Sequence, residues 1–449
     1  MIRVDVALKQ SIAKKEVERW YPLIKHPVQM ALINDDYRFK VVPAGRRSGK
    51  TERAKRYVAK KFLSVPGDYF IAAPTRDQVK RIYWNDLKLL TACSTLEHYV
   101  LESELTIICR SNNSRIILIG LDKPQRIEGV PWCGGIVDEI ADVKDGAWQL
   151  NIAPALDTID PRYPNRRAWC WLIGVPDGLG QHYELAERAR RKEPGWKLYE
   201  WKSADILPPD VIEAAKANLS PREYRQEYEA SFESSDGKIY DDYSHANTTN
   251  ETLQKHEAIL WCHDFNYTPM SSAVCVVRDN SLYILGEIVL KSATAVQSAM
   301  EFVERYDTHE NRKITIYGDP AGRAGEKHGH ASDYTEIERV LMQASWEVTR
   351  KVKAAAPAIK DRQNSVRAKI IKANGERHLF INPKLAPYAH KGLTTATLKY
   401  GSTFLESVDD YQHITTAIGY LVDYEWPIRR DIPVLVPNII PIKHHWNKA

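Results

Sequence analysis

The sequence predicts an α/β protein in two parts, a mostly parallel sheet covered by helices and then a smaller mixed sheet. In the first half, short apolar strands alternate with charged helical stretches. The chain turns polar and acidic at 223–250, and three strands, a helix and a strand follow. We expect residues 1–235 to form a first domain, 236–257 a linker and the start of the second, and 258–449 the second domain with a C-terminal tail.

Apolar runs of strand length and apolar residues at helical spacing define the predicted elements. Asp279 and Asn280 stand between two predicted strands, which is the pattern of a hairpin turn. In the first part the strands are 39–42, 69–73, 115–121, 135–137 and 168–173, with a helix at 51–63. In the second part the strands are 258–262, 272–278, 281–289 and 313–317, with helices at 294–306 and 414–422.

Composition excludes several classes of protein. With 43% hydrophobic and 27% charged residues in 449, the chain is neither disordered nor fibrous. No apolar run reaches the roughly 20 residues of a membrane span, and no secretory signal is evident, so we expect a cytoplasmic protein without a membrane partner. Six cysteines without a C-x-x-C pair predict buried free thiols.

The net charge of +5 says little about partners, but the stretch 350–372 holds eight basic residues and one acidic residue. Such a run is typical of a solvated helix face. Its alternative interpretation is a surface that binds nucleic acid through phosphate contacts.

A strand, a glycine-containing loop and a helix follow one another at 38–63, which is the context of a phosphate-binding loop. In such a loop backbone N–H groups cradle the phosphates, Lys50 reaches the β and γ oxygens, and the Thr51 hydroxyl binds Mg²⁺. Ala44 stands at the position of the usual first glycine. The candidate nucleotide-binding residues are Gly45, Arg46, Arg47, Ser48, Gly49, Lys50 and Thr51.

A second element supports ATP chemistry. The stretch 134–139 is a short apolar strand that ends in Asp138 and Glu139. In a phosphate-loop ATPase Asp138 holds Mg²⁺, and Glu139 positions or deprotonates the attacking water. The alternative is an acidic pair that faces solvent at a strand end. The order and spacing favour ATP and Mg²⁺ at one site.

Other residues are candidates for assisting this chemistry. Arg46, Arg47 and Arg126 can each neutralise charge on the transferred phosphoryl group, in the same subunit or from a neighbouring one, and Arg126 has loop packing or DNA contact as alternatives. Gln29 is a candidate for reading the adenine edge. The strand at 171–174 runs into a Gly/Pro turn, which either senses the γ-phosphate or is a simple connection.

Acidic residues recur in the second part. Asp264 and Asp319 each end a predicted strand, and Asp409 and Asp410 precede a predicted helix that begins near His413. Carboxylates gathered at one sheet end need divalent cations to offset their repulsion. Two Mg²⁺ or Mn²⁺ ions about 4 Å apart would activate water and stabilise the leaving oxygen of a phosphodiester. His413 is a candidate ligand or proton carrier, and any single aspartate has a turn or cap role as its alternative.

Taken in order, these motifs resemble those of the large terminase subunit of tailed double-stranded DNA bacteriophages. The resemblance implies a P-loop ATPase domain followed by an RNase H-like nuclease domain, with Asp264, Asp319 and either Asp409 or Asp410 as the nuclease triad. Thr416 departs from the pattern, because the family often has a further Asp there. The motifs that carry the resemblance are the loop 44–51, the stretch 72–78, Arg126, the pair Asp138-Glu139, the turn 173–176, Asp264, 318–320 and Asp409-Asp410.

The same resemblance implies a motor that hydrolyses ATP to move double-stranded DNA into a procapsid and cuts the concatemer at the start and end of packaging. It further implies a ring, commonly a pentamer, on the portal protein, a small terminase subunit as partner, and a place in the host bacterial cytoplasm and transiently on the procapsid. One rival is a DNA-repair or helicase-like ATPase whose C-terminal domain binds DNA without cleaving it. Another is a structural assembly protein whose loop binds no nucleotide.

Overall fold

The computed structural model describes residues 19–92, 97–233, 237–265, 269–323, 331–399, 404–407 and 411–428. The predicted tail from residue 429 onwards and Cys93 lie outside these ranges. The chain divides into two compact units, Met1–Ala217 with Pro221–Asp236, and Gly237–Ala449 with Asn218–Ser220. Each unit has its own sheet and its own core.

The first unit contains an eight-stranded sheet within its described residues, in the order β3-β4-β5-β2-β6-β7-β1-β8. Its strands are β1 Phe39–Pro43, β2 Asp68–Ala73, β3 His98–Leu101, β4 Thr106–Cys109, β5 Ser114–Gly120, β6 Trp132–Asp138, β7 Trp169–Gly174 and β8 Trp196–Leu198. Its helices are α1 Pro27–Asn34, α2 Lys50–Ser64, α3 Arg76–Thr91, α4 Ala153–Asp157, α5 Gln181–Arg190, α6 Pro209–Asn218 and α7 Pro221–Tyr228.

Alternate residues of the central strands enter two cores, one on each face of this sheet. Val42 packs on the side of α2 and α3, while its neighbour Val41 packs on the side of α4 and α5. Strands β1, β2, β5, β6 and β7 are parallel to one another, as predicted. Because both faces are covered, these strands read as continuous apolar runs.

The second unit contains a six-stranded mixed sheet within its described residues, in the order β13-β12-β9-β10-β11-β14. Its strands are β9 Ile259–Asp264, β10 Met270–Arg278, β11 Ser281–Leu290, β12 Lys313–Gly318, β13 Glu347–Arg350 and β14 Leu379–Ile381. Its helices are α8 Ala295–Arg305, α9 Asp333–Gln343, α10 Ile359–Ile370, α11 Pro387–Thr395 and α12 Gln412–Glu425.

The faces of this second sheet also differ in what covers them. Trp261 packs with α8 and α9, whereas Cys262 packs with α10, α11 and α12. Since side chains alternate along a strand, Asp264 shares the face of Cys262 and is directed towards α12. The predicted hairpin turn is confirmed, with Asp279 at φ 47° and Asn280 at φ 61° between antiparallel β10 and β11.

The helices and the cysteines of the described residues were also compared with the sequence. Among the described residues, no helix combines the length and apolarity of a membrane crossing. The five cysteines in the described ranges are free and buried, as predicted.

Candidate active sites

The phosphate loop lies where the sequence predicts it, between β1 and α2. Gly45 passes so close to its surroundings that a Cβ there would be 2.3 Å from Ser203 Oγ. Gly49, the residue before α2, has φ 88°, a conformation that favours glycine. The first N–H groups of α2 have no acceptors within the helix and are available to an anion. Lys50 begins the helix and is buried.

Neighbouring segments hold this loop in shape. The Arg46 N–H donates to the carbonyl oxygen of Glu227 at 2.6 Å, and its Nε donates to the Glu227 carboxylate at 2.6 Å. Ser48 Oγ donates to the Gly45 carbonyl oxygen at 2.6 Å. Trp201 Nε1 donates to the Ser48 carbonyl oxygen at 3.1 Å. These four hydrogen bonds to the protein hold the loop, which lowers the ordering cost of binding.

A hydroxyl and a carboxylate meet beside the loop. Thr51 Oγ1 lies 3.2 Å from Asp138 Oδ2, and the buried Tyr83 hydroxyl donates to the same oxygen at 2.6 Å. Asp138 is 1% exposed at the end of β6. Both Thr51 and Asp138 offer hard oxygen atoms, so their chemistry fits an Mg²⁺ bound with nucleotide.

Glu139 follows directly and has a strained backbone, with φ 51° in the left-handed region. Burial raises the pKa of its carboxyl group to about 7; the charge of Lys50 opposes this and that of Asp138 adds to it. A Cβ built on Gly174, at the end of β7, would lie 3.6 Å from Glu139 Oε2. The turn after β7 therefore sits beside this carboxylate, at the carboxyl ends of the strands.

Gln29 is buried in α1 and lies against the loop. Its Nε2 donates to the Ser48 carbonyl oxygen at 2.8 Å, and its Oε1 accepts from Arg53 Nε at 2.9 Å. Both polar atoms of the carboxamide thus hold the loop and α2. An adenine contact would have the second N–H of Nε2 and the second lone pair of Oε1, and it stays a prediction.

The candidate arginines occupy different places. Arg46 lies in the loop and pairs with Glu227, and Arg47 has φ 58°. Arg126 follows β5 and pairs with Asp122 at 2.9 Å on the surface. Strands β2, β6 and β7 separate β5 from β1. The structure therefore does not bring Arg126 to the phosphate loop of its own chain.

In the second unit two aspartates end neighbouring strands. Asp264 ends β9, and Asp319 comes directly after β12. The two strands are parallel and pair Gly318 with His263, so the aspartates stand one residue beyond a matched pair. A Cβ on Gly318 would lie 2.6 Å from the His263 carbonyl oxygen, so glycine permits this close approach.

Helix α12 supplies the remaining groups of this site. His413 Nδ1 lies 2.9 Å from Asp264 Oδ2. Burial raises the pKa of the Tyr420 hydroxyl to about 12, with the carboxylates of Asp319 and Asp264 adding to the shift and the charge of Arg362 opposing it. Both aspartates therefore raise the pKa of this one hydroxyl group. His413 and Tyr420 are seven residues apart, which places them on one helix face.

The oxygen donors fit a divalent cation in chemistry, since carboxylates are its usual ligands. No group of three or more His, Cys, Asp or Glu side chains in the described ranges has the arrangement of a metal site. Asp409 and Asp410, the predicted third ligands, lie outside the described residues. Asp264, Asp319 and His413 remain the candidates that the structure places.

The chain is similar in structure to large terminases of bacteriophages. The structure of a large terminase from a thermophilic bacteriophage has a TM-score of 0.58 at 13% identity, covering 89% of this chain and 99% of that chain. A structure of the same protein in complex with ADP has a TM-score of 0.56 at 13% identity, with the same coverage. The chain has the fold of a large terminase. The predicted fold class, α/β with a mostly parallel sheet in the first part and a smaller mixed sheet in the second, is confirmed.

The sequence comparisons cover a smaller share of the chain than the structural ones do. No family model matches the chain. The large terminase subunits of Thermus phage G20c and Thermus virus P23-45 are each 24% identical to it over an alignment of 249 positions that covers 48% of this chain. The chain spans about half the length of these curated relatives. The resemblance drawn from the motifs is thus confirmed by similarity in sequence and in fold.

One interpretation of the basic stretch 350–372 is corrected by the structure. Arg362, Arg367 and Lys369 are buried on α10, so this part is not a solvated face. Lys351 pairs with Glu425 at 2.8 Å, and Lys353 pairs with the buried Asp423. DNA binding by the partly exposed Lys351 and Lys353 stays a prediction, with both charges already paired within the unit.

Several residues of the large-terminase fold escaped the sequence interpretation. Tyr83 contacts Asp138 and Glu227 contacts Arg46 at the candidate nucleotide site, and no local signal in the sequence marks either residue. Arg362 and Glu406, which pair with each other near the second site, also carry no local signal in the sequence. Tyr420 had a usable signal, since it lies two helical turns after His413.

Proposed function

We propose that this chain is the motor and cutting subunit of a viral DNA-packaging machine. It hydrolyses ATP in the first unit to move double-stranded DNA into a procapsid, and it cuts concatemeric DNA in the second unit. One observation carries the proposal: a phosphate loop with a Thr51–Asp138 pair in one unit accompanies Asp264 and Asp319 on neighbouring strand ends in the other.

In the ATPase step, the loop amides and Lys50 hold the phosphates of ATP. Thr51 and Asp138 would hold Mg²⁺, which would supply positive charge at the phosphates when bound. Glu139 accepts the proton of the attacking water, and burial tunes its pKa to near neutrality for that task. The neighbour crystallised with ADP supports nucleotide in this fold.

We assign each candidate arginine to a phosphate loop from its position in the fold. Arg46 is within the loop, and its charge acts on Glu139. Arg126 is exposed and follows β5, which three strands separate from β1, so we assign it to the loop of a neighbouring subunit. This division favours a ring of copies, which we propose is a pentamer on the portal protein, with a small terminase subunit as a further partner.

For cutting, Asp264 and Asp319 would hold a divalent metal, Mg²⁺ or Mn²⁺, which would supply water activation and stabilisation of the leaving oxygen when bound. One of Asp409 and Asp410 completes the set. His413, against Asp264, orients that carboxylate and is the nearest side chain able to carry a proton.

The first test separates the two activities in the full chain. Lys50→Ala should lower ATP turnover at least about 100-fold while leaving Mn²⁺-dependent plasmid cutting intact, because Lys50 lies at the phosphate loop of the first unit and not at the carboxylates of the second. Lys60→Ala, an exposed lysine on the same helix, is the matched control and should leave both rates unchanged. Unchanged ATP turnover in Lys50→Ala would support the structural assembly protein instead.

The second test addresses the helicase-like rival. Asp264→Asn should abolish plasmid cutting while ATP turnover continues, because the substitution removes a metal ligand and keeps the side chain's shape. Asp279→Asn, in the exposed hairpin turn, is the control. Strand separation by the wild-type chain with no cutting in Mn²⁺ would favour the non-cleaving ATPase.

A further inference from the structure

A short turn lies beside both strand ends that carry the aspartates of the second unit. The residues Pro320–Arg323 form a 3-10 turn directly after Asp319. A Cβ on Gly322 would lie 2.5 Å from the ring of Phe265, which is the residue after Asp264. The turn therefore packs against the end of β9 while it continues from the end of β12, and its last residue is an arginine.

The guanidinium of Arg323 is held by a neutral group. Its Nη2 donates to the carbonyl oxygen of Val352 at 2.8 Å. In the described part of the chain, its buried Nε has no hydrogen-bond partner and no carboxylate pairs with it. The Tyr334 hydroxyl donates to the Asp319 carbonyl oxygen at 2.8 Å. Burial and the charge of Asp319 raise the pKa of that hydroxyl, and the charge of Arg323 opposes them.

The cations of the neighbouring strand differ from Arg323, because each has a carboxylate partner. These cations lie at the end of β13 or directly after it, and β13 pairs with β12. Their ion pairs are Arg350–Glu338 at 2.6 Å, Lys351–Glu425 at 2.8 Å and Lys353–Asp423. Arg323 is half-buried and always protonated, and a carbonyl oxygen does not offset its charge. An anion from outside the described residues would complete this arrangement.

We infer that Arg323 binds a phosphate of the DNA strand that the second unit cuts, next to the phosphate held at Asp264 and Asp319. The inference rests on the proposed cutting function and names a substrate contact of that site. The planar guanidinium, with its several N–H donors, matches the oxygen atoms of a phosphate. Four residues of a 3-10 turn rise about 8 Å, so the contact falls on a neighbouring phosphate and not on the one that is cut. Such a contact positions the strand without reading its sequence.

The first experiment measures binding of a DNA duplex to the nucleotide-free full chain, in an Asp264→Asn background that prevents cutting. Arg323→Ala should weaken binding about tenfold and lower the slope of log K against log salt by about one, because one phosphate contact is lost. Arg323→Lys, which keeps the charge, should keep the slope. Arg339→Ala removes an exposed arginine that pairs with Glu336, and as the control it should leave the slope unchanged. An unchanged slope in Arg323→Ala would overturn the inference.

The second experiment separates a substrate contact from a structural role through plasmid cutting in Mn²⁺. Arg323→Ala should raise KM about tenfold and leave kcat within about threefold, because a neighbouring phosphate is bound equally in the ground state and the transition state. Mn²⁺ binding without DNA and nucleotide should match wild type. Its loss in Arg323→Ala would refute the inference, since the residue would then act by shaping Asp319. If wild type does not cut, the proposed cutting function fails, and the salt slope still decides whether Arg323 binds phosphate.

Discussion

The two sites differ in how far along the chain their residues lie from one another. In the first unit Lys50 and Thr51 are consecutive residues at the start of one helix. In the second unit Asp264 and His413 are 149 positions apart and meet only through strand pairing and helix packing. A contiguous motif fixes its geometry locally, whereas a dispersed one depends on the whole fold of its unit. The second site should therefore be the more sensitive to changes in packing.

The largest expected effect is at the dispersed site. Asp319→Asn should lower Mn²⁺-dependent plasmid cutting at least about 100-fold, because it removes a carboxylate ligand from a strand end. ATP turnover should stay within about twofold, since distant sites behave independently. Asp307→Asn, an exposed aspartate before β12, is the control. Wild-type cutting rates in Asp319→Asn would remove this residue from the site.

At the contiguous site, Glu139→Gln should slow ATP hydrolysis by roughly 100-fold, because the amide cannot accept a proton from water. Nucleotide binding, measured by calorimetry, should persist because the loop is unchanged. Glu213→Gln, exposed on α6, provides the comparison. Loss of binding together with turnover would show that Glu139 shapes the loop instead of acting as the base.

The pH dependence of ATP turnover should be a smaller effect than the loss of activity in these variants. Because burial raises the pKa of Glu139 to about 7, ATP turnover should rise with pH through that value as the carboxylate forms. The same raised pKa means that Glu139 contributes stability below its ordinary value of 4.5, and that this contribution is lost as pH rises towards 7. A turnover rate that is flat between pH 6 and 8, roughly one unit either side, would contradict this assignment.

The smallest expected change concerns the support of the loop. Gln29→Ala should lower the free energy of unfolding by about 1–3 kcal/mol, because the buried N–H of Arg53 Nε loses Gln29 Oε1 as its acceptor. Urea denaturation measures this, with the exposed Gln343→Ala as control. Nucleotide affinity should weaken in parallel. Unchanged stability with a loss of adenine selectivity would restore Gln29 as a base-reading residue.

Much of the fold was predictable because it repeats a simple rule. Strands such as β1, β2 and β7 are buried on both faces and read as apolar runs, and Asn280 at the hairpin turn is typical of its conformation. Strands β3 and β13 were missed because their residues are largely polar or half-buried. Such edge strands lack the apolar signal on which the prediction depends.

The candidate sites were predictable to a different extent. Lys50, Asp138 and the strand-end aspartates follow from spacing and from the rule that parallel strands end together. The basic stretch misled, because charge alone cannot tell a surface residue from Arg362 or Arg367, which pair within the core. Partners such as Glu406 belong to tertiary contacts that no local pattern encodes.

The central claim is that nucleotide and metal-bound carboxylates occupy separate sites in the two units. The most direct test is an anomalous difference map from crystals of the full chain soaked with Mn²⁺ and a non-hydrolysable ATP analogue. The account predicts one peak beside Thr51 and Asp138 and another between the carboxylates of Asp264 and Asp319. Nucleotide and metal at Lys50 with no peak at Asp264 would contradict the cutting site and leave only the ATPase.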